Sequence, residues 1–326
     1  MKLLHPSLQE AELGLRAMKM VAAASGEISL PALNLLQAAQ RQILRTHFDL
    51  ATLPTIAPAE LAAGFSDPAL RRQFVQGMIV MSLTDGVPSE QQAKQVEEFA
   101  TALQISLPEL WDLKLLAEQQ MLLFRLDFMR RSHIRDMVQD QFQQHGLLES
   151  IRAILGLRGF AEEPALAAKY HTLEHFPQNT LGYSLWQHYH DNGFAFPGEK
   201  YGFPESGVYH DLSHILAGYS TQPEGEVQVA GFVAGYREHN PFYVILFVLL
   251  QFSAGVKIVP IDTPPMQGIL AETGLADLFL RAVERGSQVN TDLSDGWDFW
   301  QWLDKPLEDV RHQLNILPLS IAPSSH

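Results

Sequence analysis

The chain contains no cysteine among its 326 residues, which excludes disulfides, thiolate metal sites and a cysteine nucleophile. Any bound metal must therefore be held by nitrogen and oxygen ligands. Positive charge is also scarce, since 23 Lys and Arg stand against 37 Asp and Glu, for a net charge of −14. Because nucleic-acid binding depends on basic surface, we expect neither DNA nor RNA as a partner.

Segments that target or span a membrane are not recognisable either. The first 25 residues lack the basic stretch, apolar core and small-residue cleavage site of a secretory signal, so a cytoplasmic location is expected. One strongly apolar segment, Pro241 to Val256, has about 16 residues, fewer than the roughly 20 needed to cross a bilayer. A buried helix is the favoured interpretation, and a helix that dips into a membrane is the alternative.

The length and the hydrophobic pattern predict two helical domains. A hydrophobic share of 46% is typical of a folded protein, and a single core rarely serves more than about 250 to 300 residues. Apolar residues recur at three- and four-residue spacing, whereas the alternation typical of strands is scarce. The predicted fold class is all-α, with one domain at residues 1–142 and a second at residues 143–326.

A repeat with a period of 60 residues organises the first domain. Ala17–Ser29 aligns with Gly77–Ser89, which pairs Gly26 with Gly86. In each copy an apolar helix runs up to a glycine, which accepts the left-handed backbone conformation. The serine that closes each range can then cap the next helix. The predicted unit is helix, tight turn, helix, used twice.

The second copy, SLTDGVPSEQQAKQVEEFATALQI, resembles the tellurite-resistance protein B (TerB) superfamily around Asp85 and Glu90. Carboxylates of that superfamily are linked with metal binding. The first copy, however, carries Ser25 where the second has Asp85. Acidic residues are common at helix starts, so turn and cap roles are favoured over a metal site here.

The segment Tyr209 to Glu226, YHDLSHILAGYSTQPEGE, carries the most specific signal. On a helix His210 and His214 lie one turn apart, with Asp211 beside them. A glycine and a proline then break the helix, so that the chain can turn back and present Glu226 from a following helix. The segment predicts a site of two imidazoles and two carboxylates.

Such a ligand set suits a divalent metal, namely Zn²⁺, Fe²⁺ or Mn²⁺, and with additional water ligands Mg²⁺. The competing interpretation is that the two histidines are ordinary helix residues, since the chain has 13 histidines. The aspartate inside the pair and the glutamate after the turn favour metal. His210, Asp211, His214 and Glu226 are therefore the candidate catalytic and metal-binding residues.

Two further histidine groups are expected to be polar residues on helix surfaces. His171 and His175 lie four residues apart, and His188, His190 and Asp191 are crowded together. A histidine near the metal would be suited to proton transfer, because its usual pKa is about 6.5. That role is the alternative for one of them.

The motif H-D-x-x-H, eleven residues from Ile215 to Gly225, then E, resembles that of the coenzyme Q biosynthesis protein 4 family. Phe176–Gly182 is similar to the family's helix-entry segment, and AGYSTQPEGE to its turn after the motif. ERGSQVNTDL and KPLEDVRHQLNI are similar to its C-terminal signature. The resemblance covers approximately residues 145–318 and leaves out the TerB-like half.

The resemblance implies a helical protein with an apolar cleft for a polyprenylated ring and a metal beside the ring. Family members replace the carboxyl group of a prenylated hydroxybenzoate with a hydroxyl, an oxidative decarboxylation in ubiquinone biosynthesis. Expected partners are that polyprenylated aromatic substrate or an isoprenoid lipid, other quinone-biosynthesis proteins, the inner face of a membrane and further copies of the chain. Phe242, Tyr243, Phe247 and Phe252 could line the cleft, although core packing is the favoured use of each.

The chain departs from the family shortly before the motif, where members carry an arginine and this sequence has Glu205, Ser206 and Gly207. Lys200 could compensate for it. Two other functions compete with the decarboxylase. One is a non-catalytic isoprenoid-binding scaffold with a structural metal, and the other is a metal-dependent hydrolase related to H-E-x-x-H enzymes, for which Asp211 is one methylene short.

Overall fold

The computed structural model describes residues 2–131, 162–256, 268–272 and 274–319. Over these ranges the protein is all-α and contains no strand, which confirms the predicted fold class. The described part holds fourteen α-helices: α1 Leu8–Ala22, α2 Leu30–Ala38, α3 Pro58–Gly64, α4 Pro68–Ser82, α5 Glu90–Ala102, α6 Pro108–Ala117, α7 Met121–Arg131, α8 Pro164–His171, α9 Leu181–Asn192, α10 Val208–Ala217, α11 Pro223–Tyr236, α12 Pro241–Val248, α13 Leu275–Ser287 and α14 Leu307–Gln313.

The chain divides into two compact units. One comprises Lys2–Arg131 with Phe242–Glu284, and the other comprises Ser132–Pro241 with Arg285 to the C-terminus. The expected boundary between residues 142 and 143 lies outside the described residues. The division nevertheless differs from two consecutive domains, because the described residues between Phe242 and Glu284 belong to the same unit as the N-terminal segment. A hydrogen bond from the Tyr243 hydroxyl to Asp112, 2.7 Å long and buried, is one of the contacts that hold it there.

The repeat in the N-terminal half is present as two helix–turn–helix units, α1–α2 and α4–α5. The serines at the two predicted cap positions accept hydrogen bonds from the N–H groups of Ala32 and Gln92, which satisfies donors that a helix start leaves unpaired. The glycine of each turn has a positive φ, 141° at Gly26 and 123° at Gly86. Equal spacing in the sequence thus corresponds to equal local structure.

Close contact between α1 and α4 forms the centre of this unit. A Cβ added at Gly14 would lie 1.9 Å from the Phe74 ring, so only glycine permits this approach. Leu15, Met78 and Phe99 are fully buried beside them. Burying such side chains contributes about 1.5 to 3 kcal/mol each, which is sufficient reason for the repeat to fold as one body.

The apolar segment after Pro241 forms α12 and a π-helical extension, Leu249–Ser253. Phe242 and Tyr243 are buried, as the favoured interpretation of a core helix predicted. None of the described helices combines the length and the apolar composition needed to cross a membrane.

The second unit is built around α9, α10 and α11. Leu185, Leu212 and Phe232, one from each helix, are fully buried. Backbone hydrogen bonds join the start of α9 to the segment before α14, including Leu181 N–H to the carbonyl of Lys305 at 3.0 Å. These three helices carry every side chain of the candidate site.

Candidate metal centre

Two consecutive helices present the motif. His210 and His214 lie on successive turns of α10, which ends at Gly218 in the left-handed conformation, with φ of +76°. The Gly218 N–H donates to the carbonyl of His214 at 2.7 Å and closes the helix. Glu226 lies in the first turn of α11. The predicted helix, break and returning helix are therefore present.

The turn between α10 and α11 is tight because Gly225 lies where the start of α11 contacts the turn. A Cβ added at Gly225 would lie 1.9 Å from the backbone oxygen of Ser220. No side chain fits at that distance, so the α11 start can fold back against the turn only with glycine there. This close approach fixes the position of the neighbouring Glu226 relative to α10.

The ligand atoms of His210, His214 and Glu226 converge. The Nε2 atom of His210 lies 3.2 Å from Glu226 Oε2, that of His214 lies 3.3 Å from Glu226 Oε1, and the two Nε2 atoms are 3.3 Å apart. Ligands about 2.1 Å from one ion are about 3.0 to 3.4 Å apart in octahedral or tetrahedral geometry. The three residues could hold one metal ion.

A backbone carbonyl orients the His214 imidazole. His214 is 2% exposed, and its Nδ1 lies 3.2 Å from the carbonyl oxygen of Tyr219. Because a carbonyl only accepts hydrogen bonds, Nδ1 carries the proton and Nε2 keeps its lone pair. This is the usual arrangement of a metal-binding histidine, whose second nitrogen is held by a carbonyl or carboxylate.

Two arginines hold the C-terminal end of α10. Arg285 donates to the carbonyl of Ala217 at 2.8 Å, and Arg311 donates to those of Ile215 at 2.7 Å and Leu216 at 3.0 Å. Helix ends leave these carbonyls unpaired and partly negative. The guanidinium groups therefore fix the helix turn that carries His214.

The electrostatic environment of His210 and Glu226 favours an ionised glutamate beside a histidine. Burial alone would lower the pKa of His210, but the hydrogen bond to Glu226 and the charges of Asp211 and Glu226 outweigh it and raise the pKa. Burial opposes ionisation of Glu226, yet the hydrogen bond from His210 and the proximity of both imidazoles lower its pKa to about 2. The glutamate is thus ionised at neutral pH, as a metal ligand must be.

Asp211, the fourth predicted ligand, lies outside the group of converging atoms. Its Oδ2 accepts a short hydrogen bond from the Tyr189 hydroxyl of α9, and its Oδ1 lies 3.9 Å from His188 Nε2. The structure thus brings three of the four predicted residues together and places the fourth next to them. His210 and Glu226 remain about 40% and 35% exposed, so the centre is open on one side.

The remaining histidines separate into two kinds. His171 and His190 are exposed; the first lies 2.8 Å from Glu199 and the second stacks on Trp186. His188 differs, because its side chain is 11% exposed and its ring stacks on that of His214, with centroids 5.6 Å apart. One of the crowded histidines is therefore at the site.

Sequence reasoning missed Tyr189 and the carbonyl of Tyr219. The only available signal for the tyrosine was its place within the crowded H-Y-H-D segment, and a backbone carbonyl leaves no signal in a sequence. Where the family carries an arginine, Glu205 accepts hydrogen bonds from the Tyr170 hydroxyl at 3.0 Å and the Trp300 indole at 2.8 Å. Lys200 lies 5.5 Å from the centre of the Tyr201 ring.

Comparison with known proteins gives no assignment. No protein-family model matches the chain, and no curated protein matches it. The likeness to the coenzyme Q protein 4 family therefore rests on the residues themselves.

Proposed function

We propose that this protein is a metal-dependent enzyme of ubiquinone or related quinone biosynthesis. Its substrate would be a polyprenylated hydroxybenzoate, and its reaction an oxidative decarboxylation. The single observation that carries the proposal is the convergence of His210, His214 and Glu226 at the spacing of the H-D-x-x-H, eleven residues, E motif. The motif suggests the reaction class, and the convergence supports the metal on which it depends.

The donor set fits a divalent ion with open positions. Two imidazoles and one carboxylate are the ligands of many catalytic sites, whereas structural sites are commonly closed by four protein ligands. When bound, the metal would supply a Lewis acid for a carboxylate or phenolate oxygen, or a redox centre if it is iron or manganese. The exposure of His210 and Glu226 leaves room for a ligand to reach it.

The chain's own residues would hold and orient the reactants. The Tyr219 carbonyl keeps the His214 Nε2 lone pair free for the ion, and Glu226 balances its charge. In the reaction the bond between the ring and its carboxyl carbon breaks, carbon dioxide leaves, and a hydroxyl takes its place. With water as the source of the hydroxyl oxygen, dioxygen would accept the two electrons and two protons that this oxidation releases and leave as hydrogen peroxide.

The hydrolase alternative has one supporting feature, because Asp211 lies beside three zinc-type ligands as the general base of H-E-x-x-H enzymes does. In this chain, however, one oxygen of that carboxylate accepts from Tyr189 and the side chain is one methylene shorter. The decarboxylase proposal therefore has the better support. The scaffold alternative requires a closed structural metal, which the three-ligand set does not favour.

The test begins with metal analysis of the purified full-length chain. The chain loaded with Zn²⁺, Mn²⁺ or Fe²⁺ is then incubated aerobically with a short-chain prenylated 4-hydroxybenzoate, and carbon dioxide and the hydroxylated ring are measured. We expect turnover by the wild type and by His190→Ala, an exposed control, and none by His214→Ala. Absence of metal, or hydrolysis of ester substrates without decarboxylation, would overturn the proposal. If the wild type bound prenylated lipid without turnover and His214→Ala only lowered the melting temperature, the scaffold alternative would replace it.

A further inference from the structure

His188 carries a largely buried imidazole, and one of its nitrogens has no hydrogen-bond partner among the described residues. It lies on α9, its side chain is 11% exposed, and its Nε2 is the unpaired atom. An unpaired buried donor or acceptor has lost its hydrogen bonds to water without replacement, so such atoms are rare in proteins. Packing alone does not account for a nitrogen at this position.

Rings on several sides fix this imidazole beside the metal centre. It stacks on His214 with an interplanar angle of 29°, and the rings of Tyr189 and Phe194 meet it edge-on at 6.1 and 5.8 Å. Its Nε2 lies 3.9 Å from Asp211 Oδ1, too far for a hydrogen bond. That carboxylate is fixed by the Tyr189 hydroxyl through its other oxygen, and it favours the tautomer with a proton on His188 Nε2.

We propose that His188 is an anion-binding residue of the metal centre. Its Nε2–H donates a hydrogen bond to the carboxylate or phenolate oxygen of an aromatic acid that occupies the open side of the ion. This inference rests on the proposed function, because the ligand is held jointly by the metal and by His188. The chemical reason is that an unpaired buried N–H on a ring stacked against the candidate ligand His214 selects a ligand that brings an oxygen acceptor.

The test uses the full-length chain loaded with Co²⁺, whose visible spectrum changes when an oxygen ligand binds. The probes are 4-hydroxybenzoate and its neutral analogue 4-hydroxybenzyl alcohol. His188→Phe keeps the ring stacking but removes the nitrogen, and His188→Gln restores an N–H near the Nε2 position. The matched control is His190→Phe on the same helix, which is exposed and stacks on Trp186.

We expect His188→Phe to weaken 4-hydroxybenzoate binding about tenfold or more, the usual effect of losing a hydrogen bond to a charged group. The same variant should bind the neutral alcohol with nearly unchanged affinity. His188→Gln should recover most of the loss, His190→Phe should behave as the wild type, and all variants should retain cobalt affinity.

The outcomes separate this inference from the proposed function. If the wild type does not bind Co²⁺, both fail. If it binds Co²⁺ but 4-hydroxybenzoate leaves the spectrum unchanged, or if His188→Phe binds benzoate as tightly as the wild type, only the role of His188 is overturned. Loss of cobalt by His188→Phe would likewise overturn it, since the imidazole would then support the metal instead of the ligand.

Discussion

Replacing Gly225 with alanine should impair metal binding while the rest of the fold is kept. The added Cβ would lie 1.9 Å from the Ser220 backbone oxygen, so the turn and the start of α11 must separate by about 1 Å to reach an allowed contact. Glu226 is the next residue and would move with α11. Metal–ligand distances tolerate deviations of only about 0.2 Å, so the three-ligand geometry is lost.

We expect zinc affinity to fall at least tenfold, together with a loss of about 1 to 3 kcal/mol in the free energy of unfolding from the clash. Zinc affinity is measured by competition with a chromophoric chelator, and stability by urea denaturation of the metal-free protein. A loss of stability alone would not show that the metal geometry has changed. The test therefore needs a control variant that is destabilised at another position.

Gly193→Ala is that matched control. Gly193 has φ of +66° with nothing within 4 Å of its added Cβ, so alanine there costs about 1 kcal/mol of backbone strain and no clash. It should lower stability and leave zinc affinity unchanged. If Gly225→Ala bound zinc as tightly as Gly193→Ala does, the link between the turn and the metal geometry would be refuted.

Three further predictions concern pH, the hydrogen bond outside the ligand group, and the metal itself. Burial raises the pKa of Asp112 from 3.8 to about 7, although the hydrogen bond from the Tyr243 hydroxyl opposes the shift. The folded state therefore holds the proton more tightly than the unfolded chain does. Because of this difference, the free energy of unfolding should fall by up to about 4 kcal/mol as the pH rises from 4 to 7. Urea denaturation should show this decrease of stability with pH in the wild type and not in Asp112→Asn. An equal decrease in both proteins would contradict the assignment of the pH dependence to Asp112. Tyr189→Phe removes a hydrogen bond to a carboxylate and should cost about 1.5 to 3 kcal/mol of stability. In zinc titrations this variant should lose less affinity than Glu226→Gln does. An equal loss in the two variants would place Asp211 among the metal ligands. Zinc at 100 times its dissociation constant should stabilise the wild type by about 2.7 kcal/mol in thermal or urea unfolding. A chelator should abolish this stabilisation. An equal stabilisation of His214→Ala would mean that the ion binds elsewhere.

The features predictable from the sequence are those encoded by neighbours along the chain. Helical periodicity, the serine caps of α2 and α5, and the repeat around Gly26 and Gly86 depend on residues a few positions apart, and the structure confirms them. The meeting of His210 with His214 follows from one helical turn. The return of Glu226 followed from the helix-breaking residues between the two helices.

The features that could not be predicted depend on partners distant in sequence. Asp211 looked equivalent to the two histidines, yet a tyrosine hydroxyl 22 residues earlier holds its carboxylate. Phe242–Glu284 was expected to follow its neighbours, yet Tyr243 pairs with Asp112, 131 residues away. Periodicity identifies the buried face of a helix, but it does not specify which element covers that face.

The hydrogen bond between Tyr189 and Asp211 also bears on the choice between an enzyme and a scaffold. A second carboxylate, bound as the fourth ligand, would close a tetrahedral site, which is the arrangement of structural metals. Because the Tyr189 hydroxyl holds Asp211 aside, the ion that His210, His214 and Glu226 could bind keeps a position for another ligand. The partially exposed His210 and Glu226 lie where that ligand would enter. The contact that keeps Asp211 outside the converging group is therefore also the contact that favours a catalytic metal over a structural one.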